Sequence, residues 1–288
     1  MIFGRVKPLD AILATAEKKS LHRTLGWFQL MLFGIGCVIG TGIFVLTAAG
    51  AQKAGPGLML AFAIAGAVCI IAALCYAEIA SMIPVAGSAY TYSYASVGEL
   101  LAWTVGWALI MEYAIAAAAV SVGWSGYFSG TFLNGILGVQ LPAWLAVGPL
   151  VLGGAPGGLI NLPALIIALL VTGLLIVGTS ESAKVNAVLV LVKVTALTAF
   201  IALPFPSPDF DASHFNPFLP AGVFGGFGSG LGAVGAAATI FFAYVGFDAV
   251  STAAEETKNP QRNVPIGLVG SLLFCTVFYI LVAAGAIG

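Results

Sequence analysis

Four glycines fall within nine residues, in Gly34-Ile35-Gly36-Cys37-Val38-Ile39-Gly40-Thr41-Gly42, at the centre of the first long apolar stretch. Glycine is a weak helix former, and a backbone amide without a partner in lipid costs several kcal/mol. Two chemistries fit the spacing. Gly36 and Gly40 form the small-xxx-small pattern that lets two helices approach closely. Alternatively, the helix breaks here, and unwound N–H and C=O groups face a cavity where they hold a polar solute in passage. A second chemical feature is Lys193, in Val190-Leu191-Val192-Lys193-Val194-Thr195. It lies deep in an apolar run, at ~1.5 Å per residue roughly 15 Å from either surface, beyond the reach of a snorkelling lysine stem. A charge at that depth costs on the order of 3 kcal/mol and must face a partner or a water-filled path. Either it is a permanent tie to helix carbonyls, or it exchanges a proton, since burial makes a lysine easier to deprotonate. Glu112 and Asp248 also lie within apolar runs, with Glu78 near the end of one. Each is open to a path or gate role or to a structural hydrogen bond.

These residues need elements to position them, and the composition says which. The chain is 60% hydrophobic and 7% charged, against roughly 25% charged in a soluble domain. This predicts an all-α membrane protein with about seven transmembrane helices, near 27–49, 57–83, 99–128, 160–180, 184–203, 229–253 and 265–287. Lys7 to Arg23 reads as a short amphipathic surface helix without signal-peptide features. Leu141-Pro142-Ala143-Trp144 reads as an interfacial segment, Pro204 to Pro220 as an extended loop, and Pro265 as a first-turn proline of the last helix. His22 and His214 fall outside the spans, and Glu99 and Glu181 at helix starts. The four cysteines lack metal or redox spacing, no basic tract suggests nucleic acid, and no cofactor is expected. With the N-terminus cytoplasmic, eight lysines and arginines lie inside (Arg5, Lys7, Lys18, Lys19, Arg23, Lys184, Lys258, Arg262) and only Lys53 lies outside.

Gly34 to Phe44 resembles the first-span signature of the amino acid–polyamine–organocation superfamily, in which Ile-Gly-Thr-Gly-Ile-Phe is the unwound substrate-binding segment. Tyr76-Ala77-Glu78 with Pro84 to Tyr90 resembles its second span and following loop. Phe241 to Asp248, then Ala254-Glu255-Glu256 and Lys258 to Pro265, resembles its sixth span and the next loop. The match covers essentially the whole chain and is nearest the bacterial cationic amino acid transporter-like branch. The resemblance implies a leucine-transporter-type inverted-repeat fold with helices 1 and 6 broken. The glycine cluster makes the first break legible; for the sixth span, which lacks such a cluster at its centre, the resemblance alone carries the expectation.

On that resemblance, residues 1–26 are a cytoplasmic segment, 27–203 the first repeat, and 204–288 part of a second repeat. The implied function is import of amino acids across the plasma membrane as a secondary active transporter, not an enzyme. A substrate carboxylate would meet the amides of Gly40, Thr41 and Gly42; its ammonium would meet carbonyls of Val38, Ile39, Phe242, Ala243 and Val245. Tyr244 and Phe247 are aromatic gate candidates, with Glu112 and Asp248 as path or gate candidates. Lys193 matches the span-five lysine whose ammonium replaces sodium in proton-coupled relatives, so protons are the expected partner, with sodium coupling or exchange as alternatives. Family members have twelve spans, so the chain is expected to be an incomplete fold that does not transport by itself.

Overall fold

A computed structural model describes residues 6–8, 10, 12, 23–149, 157–177, 179–208, 210–226 and 229–288, and of residues 177 and 179–187 the backbone alone. The amphipathic segment expected before the first span lies almost wholly outside these residues, with Lys18, Lys19 and His22. The chain is 76% helical, and the described residues include no strand, only a single bridge between Leu25 and Thr257. Helix is the expected answer, because a chain this apolar must satisfy its backbone within each segment.

The first apolar run is not one helix. It forms α1 (Trp27–Val38) and α2 (Gly42–Ala54), separated at Ile39-Gly40-Thr41. A tight turn at Gly55–Gly57 leads to α3 (Leu58–Met82), then α4 (Ser88–Ser96). The long helix α5 (Glu99–Tyr127) runs on as a π-helix at Phe128–Ile136, beyond the expected end. Next come α6 (Ala143–Ala146) at the expected interfacial segment, α7 (Leu162–Val177) and α8 (Thr179–Ala202). In the proline-rich loop, Asp211 caps a short 3-10 turn, Ala212–Phe215, and hydrogen bonds from the Ser213 amide and hydroxyl hold its carboxyl below the usual range.

The sixth run is broken as well. α9 (Gly232–Ile240) tightens into a 3-10 segment, Phe241–Tyr244, unwinds, and resumes as α10 (Ala249–Thr252) and a second 3-10 turn, Ala253–Glu256. The last helix, α11 (Pro260–Ile287), starts five residues before Pro265, so the first-turn proline is Pro260. Asn259 in the left-handed conformation sets that start (φ 46°), and Pro265 sits inside the helix, where it leaves the Gln261 carbonyl without its usual amide partner.

Helical stretches long and apolar enough to cross a membrane are Gly42–Met82, Glu99–Ile136, Gly232–Glu256 and Pro260–Ile287, and Trp27–Val38, Leu162–Ile176 and Val188–Ala202 are shorter apolar helices. The chain folds as two compact units, Met1–Leu109 with Val188–Gly288, and Ile110–Ala187. In the first, α11 packs along α3 and α1, and α9 along α2 and α3. Small residues let these backbones close up. A Cβ on Gly66 would lie 2.4 Å from Thr276 Oγ1, and one on Gly50 would lie 2.6 Å from Leu58. In the second unit, Asn161 joins α7 to α5 by donating to Ser125 Oγ at 2.8 Å.

Candidate functional site

The break in the first run is a rearrangement of hydrogen bonds. Ile39 N still donates to Ile35 O at 2.9 Å, but Gly40 N turns back to Val38 O at 2.8 Å. The ladder restarts at Thr41, whose carbonyl accepts from both Phe44 N and Val45 N. This leaves α1 ending, and α2 beginning, inside the protein. The last carbonyls of a helix form its negative pole and the first amides its positive pole.

A cation occupies the negative pole. Lys193, half-buried on α8, donates from Nζ to Gly36 O at 3.0 Å and to Ile39 O at 2.7 Å. The depth that makes this lysine costly in lipid is thus compensated by two carbonyls that α1 cannot satisfy itself. The contact joins residues more than 150 positions apart in sequence.

The second break lies against the first. Gly246 adopts φ +109°, a conformation that side chains rarely tolerate, and a Cβ there would come within 3.0 Å of the Cys37 carbonyl. A Cβ on Gly42 would come within 2.6 Å of Ala243 Cα. The two glycines therefore permit two backbone crossings between the unwound segments. Gly40 is different, because nothing lies within 4 Å of the position its Cβ would take. Close packing was expected of the Gly36–Gly40 pair; Gly40 instead has open space beside its backbone, and the close approach falls at Gly42.

A third element holds both breaks. Tyr279 on α11 is fully buried, and its hydroxyl lies 3.0 Å from Val38 O and 3.0 Å from Ala243 O. With a single proton it donates to one carbonyl at a time. Its ring packs against Phe62 and Tyr244, with centroids at 5.4 and 5.2 Å.

The residues singled out in the sequence are distributed as follows. Val38, Ile39, Gly40, Thr41 and Gly42 form the first break, and Phe242, Ala243, Tyr244 and Val245 lead into the second. Several carbonyls already carry protein donors: Val38 takes Gly40 N and the Tyr279 hydroxyl, Ile39 takes Lys193, and Phe242 takes Val245 N at 3.2 Å. Tyr244 is fully buried and donates to Phe62 O at 3.0 Å, so its side chain packs the bundle. Phe247 meets Tyr76 edge-on at 6.0 Å, and Asp248 is buried just beyond Gly246. Glu112 is half-buried in the other unit, and Glu78 is exposed. Tyr279 and Gly246 were not anticipated. A lone tyrosine in an apolar helix looks like packing, and one glycine lacks the density that marks the first break.

Residues 25–288 match the amino acid permease family. A branched-chain amino acid permease of Bacillus subtilis strain 168 is 50% identical over 288 residues, which is 98% of this chain and 58% of that protein. A methylthioribose transporter of the same organism is 47% identical over 97% of this chain and 58% of its own length. Cationic amino acid transporter 9, chloroplastic, of Arabidopsis thaliana is 42% identical over 91% of this chain and 44% of its own length. The chain thus spans 44–58% of the length of these curated relatives, which are named as permeases and transporters and not as enzymes. A match that runs through every apolar helix and both breaks makes this a multi-pass membrane protein, and the chain belongs to the amino acid permease family of the amino acid–polyamine–organocation superfamily.

Proposed function

We propose that this chain forms the substrate-binding bundle of a proton-coupled amino acid importer of the cell membrane, with its N-terminus in the cytoplasm. The observation that carries the reading is the Lys193 ammonium on the carbonyls of Gly36 and Ile39, at the break. A substrate carboxylate suits the opening turn of α2, at Gly40, Thr41 and Gly42, where the helix pole is positive and Gly40 leaves space beside the backbone. The substrate ammonium suits the remaining lone pairs of the Phe242, Ala243 and Val245 carbonyls, since each carbonyl accepts twice. Lys193 then plays the part of a coupling cation. Protonated, it ties α8 to the end of α1 by two charge-assisted bonds; on losing its proton it loses that charge assistance at both carbonyls, which weakens the tie and lets the two elements separate.

The test is uptake of radiolabelled amino acid into proteoliposomes by the protein as its gene encodes it, under an imposed proton gradient and, separately, a sodium gradient. Lys193→Ala is expected to abolish the pH dependence of uptake. Lys193→Arg, which keeps its charge, is expected to reduce turnover at least tenfold by holding the contact shut. Uptake driven by sodium, or pH dependence that survives Lys193→Ala, overturns proton coupling through this residue.

A further inference from the structure

The short helix α4 follows α3 and lies against α10, just past the second break. Its first turn is strained. Ser88, the first residue of α4, is held at φ +49°, a left-handed conformation that serine rarely adopts. A pair of buried hydroxyls holds it there, with Ser88 Oγ 3.0 Å from Ser251 Oγ on α10. Ahead of that turn, Ala86 N donates to Glu255 Oε2 at 3.0 Å. One turn further on, Tyr92 packs edge-on against Tyr76 of α3, with ring centroids at 6.3 Å, and Tyr76 in turn meets Phe247. Tyr92 is only 4% exposed, yet its hydroxyl finds no hydrogen-bond partner among the described residues. Burial pushes its phenol up to about 12, and the nearby Ser251 hydroxyl, already bonded to Asp248 O and Ser88 Oγ, offsets only part of that.

Two features thus oppose the position that α4 occupies. A left-handed serine and an unpaired buried hydroxyl each cost free energy, and few contacts offset them: one hydroxyl pair, one carboxylate and one ring contact. Lifting α4 off α10 lets Ser88 relax and lets water reach the Tyr92 hydroxyl, which regains the bond that docking denies it. We propose that α4 is a spring-loaded cover over the second break, latched by Ser88 and Ala86 and biased toward release by the Tyr92 hydroxyl. Because Tyr76 bridges Tyr92 to Phe247, release of α4 loosens the packing of the ring next to Gly246 and opens that side of the site. The part played in a transport cycle rests on the importer reading above; the strain on α4 does not.

The experiment compares Tyr92→Phe and Ser251→Ala with the unsubstituted protein as its gene encodes it. Tyr92→Phe removes the unpaired hydroxyl and breaks no bond, so hydrogen exchange of peptides covering 86–96 is expected to slow about tenfold. Ser251→Ala removes the anchor of Ser88 and is expected to speed that exchange several-fold, with peptides of α3 unchanged in both variants. Exchange in Tyr92→Phe that is unchanged or faster overturns the proposal, because the hydroxyl then has a partner in the docked state. Exchange in Ser251→Ala that is no faster overturns it as well. Uptake into proteoliposomes is the second readout. At saturating amino acid, Tyr92→Phe is expected to lower uptake about threefold or more, since the cover then lifts less often. Slowed exchange with uptake at the unsubstituted rate overturns the role of α4 as a cover of the site. If the unsubstituted protein takes up nothing, the importer reading fails, and hydrogen exchange still decides whether α4 is strained toward release.

Discussion

Single residues at the break separate roles that the sequence runs together. Gly40 and Gly42 are two positions apart and share one motif, yet only Gly42 abuts another backbone. Gly42→Ala forces its Cβ into Ala243, an overpacking that costs about 1–3 kcal/mol, so the melting temperature should fall by several degrees. Gly40→Ala meets nothing within 4 Å and should leave the melting temperature unchanged, while a larger Gly40→Leu fills the space and should abolish uptake. Equal melting of the two alanine variants would remove the distinction. Tyr279→Phe deletes a hydroxyl that touches both breaks and should cost about 1 kcal/mol, seen as a drop of about 2–4 °C in melting with reduced uptake. Lys193 was legible because a charge deep in an apolar run demands a partner. Tyr279 was not, because its partners at Val38 and Ala243 come together only through folding, the former 241 positions away.

At the scale of elements, the two breaks have different causes, which explains why one was readable. The first is written as glycine density, each glycine weakening the helix by up to about 1 kcal/mol relative to alanine. The second is an α-to-3-10 transition closed by one glycine at φ +109°. A single glycine in a helix is common, so only the family resemblance pointed to it. Gly246→Ala should therefore be more damaging than its size suggests, since both the backbone conformation and the Cys37 carbonyl oppose a methyl group. It should lower folded yield and melting temperature more than Ala249→Gly, a change in the adjacent helix without such a contact. Similar yields for the two would mean that the unwound segment is not fixed by this residue. On the far side of the breaks, Lys53 on α2 donates to Thr239 Oγ1 on α9 at 2.7 Å, which ties α2 to α9. The first and sixth runs are thus joined at their breaks by backbone crossings and, between α2 and α9, by this side-chain bond.

For the whole molecule, charge placement decides which way the bundle sits in the bilayer. Lysine and arginine are retained on the cytoplasmic side during insertion, and short loops near span ends carry most of that signal. Lys258 and Arg262 lie between the sixth and seventh runs, at the end where Lys258 N donates to Leu25 O, two residues after Arg23. The opposite face holds Lys53 and the proline-rich loop from Pro204 to Pro220, which has no lysine or arginine. An epitope inserted in that loop, at exposed Ser213 or His214, should be stained on intact cells. An epitope after exposed Lys258 should be stained only after permeabilisation, although placing it there also challenges the Lys258–Leu25 hydrogen bond. An insertion at exposed Gln261, beyond the bridge, checks that the result does not come from breaking that hydrogen bond. Staining in the reverse pattern would invert the orientation and make the Lys193 contact part of the outward-facing half of the site. Replacing Lys258 and Arg262 by glutamine should leave the pattern intact, because Arg5, Lys7, Lys18, Lys19 and Arg23 still outnumber Lys53 on the other side.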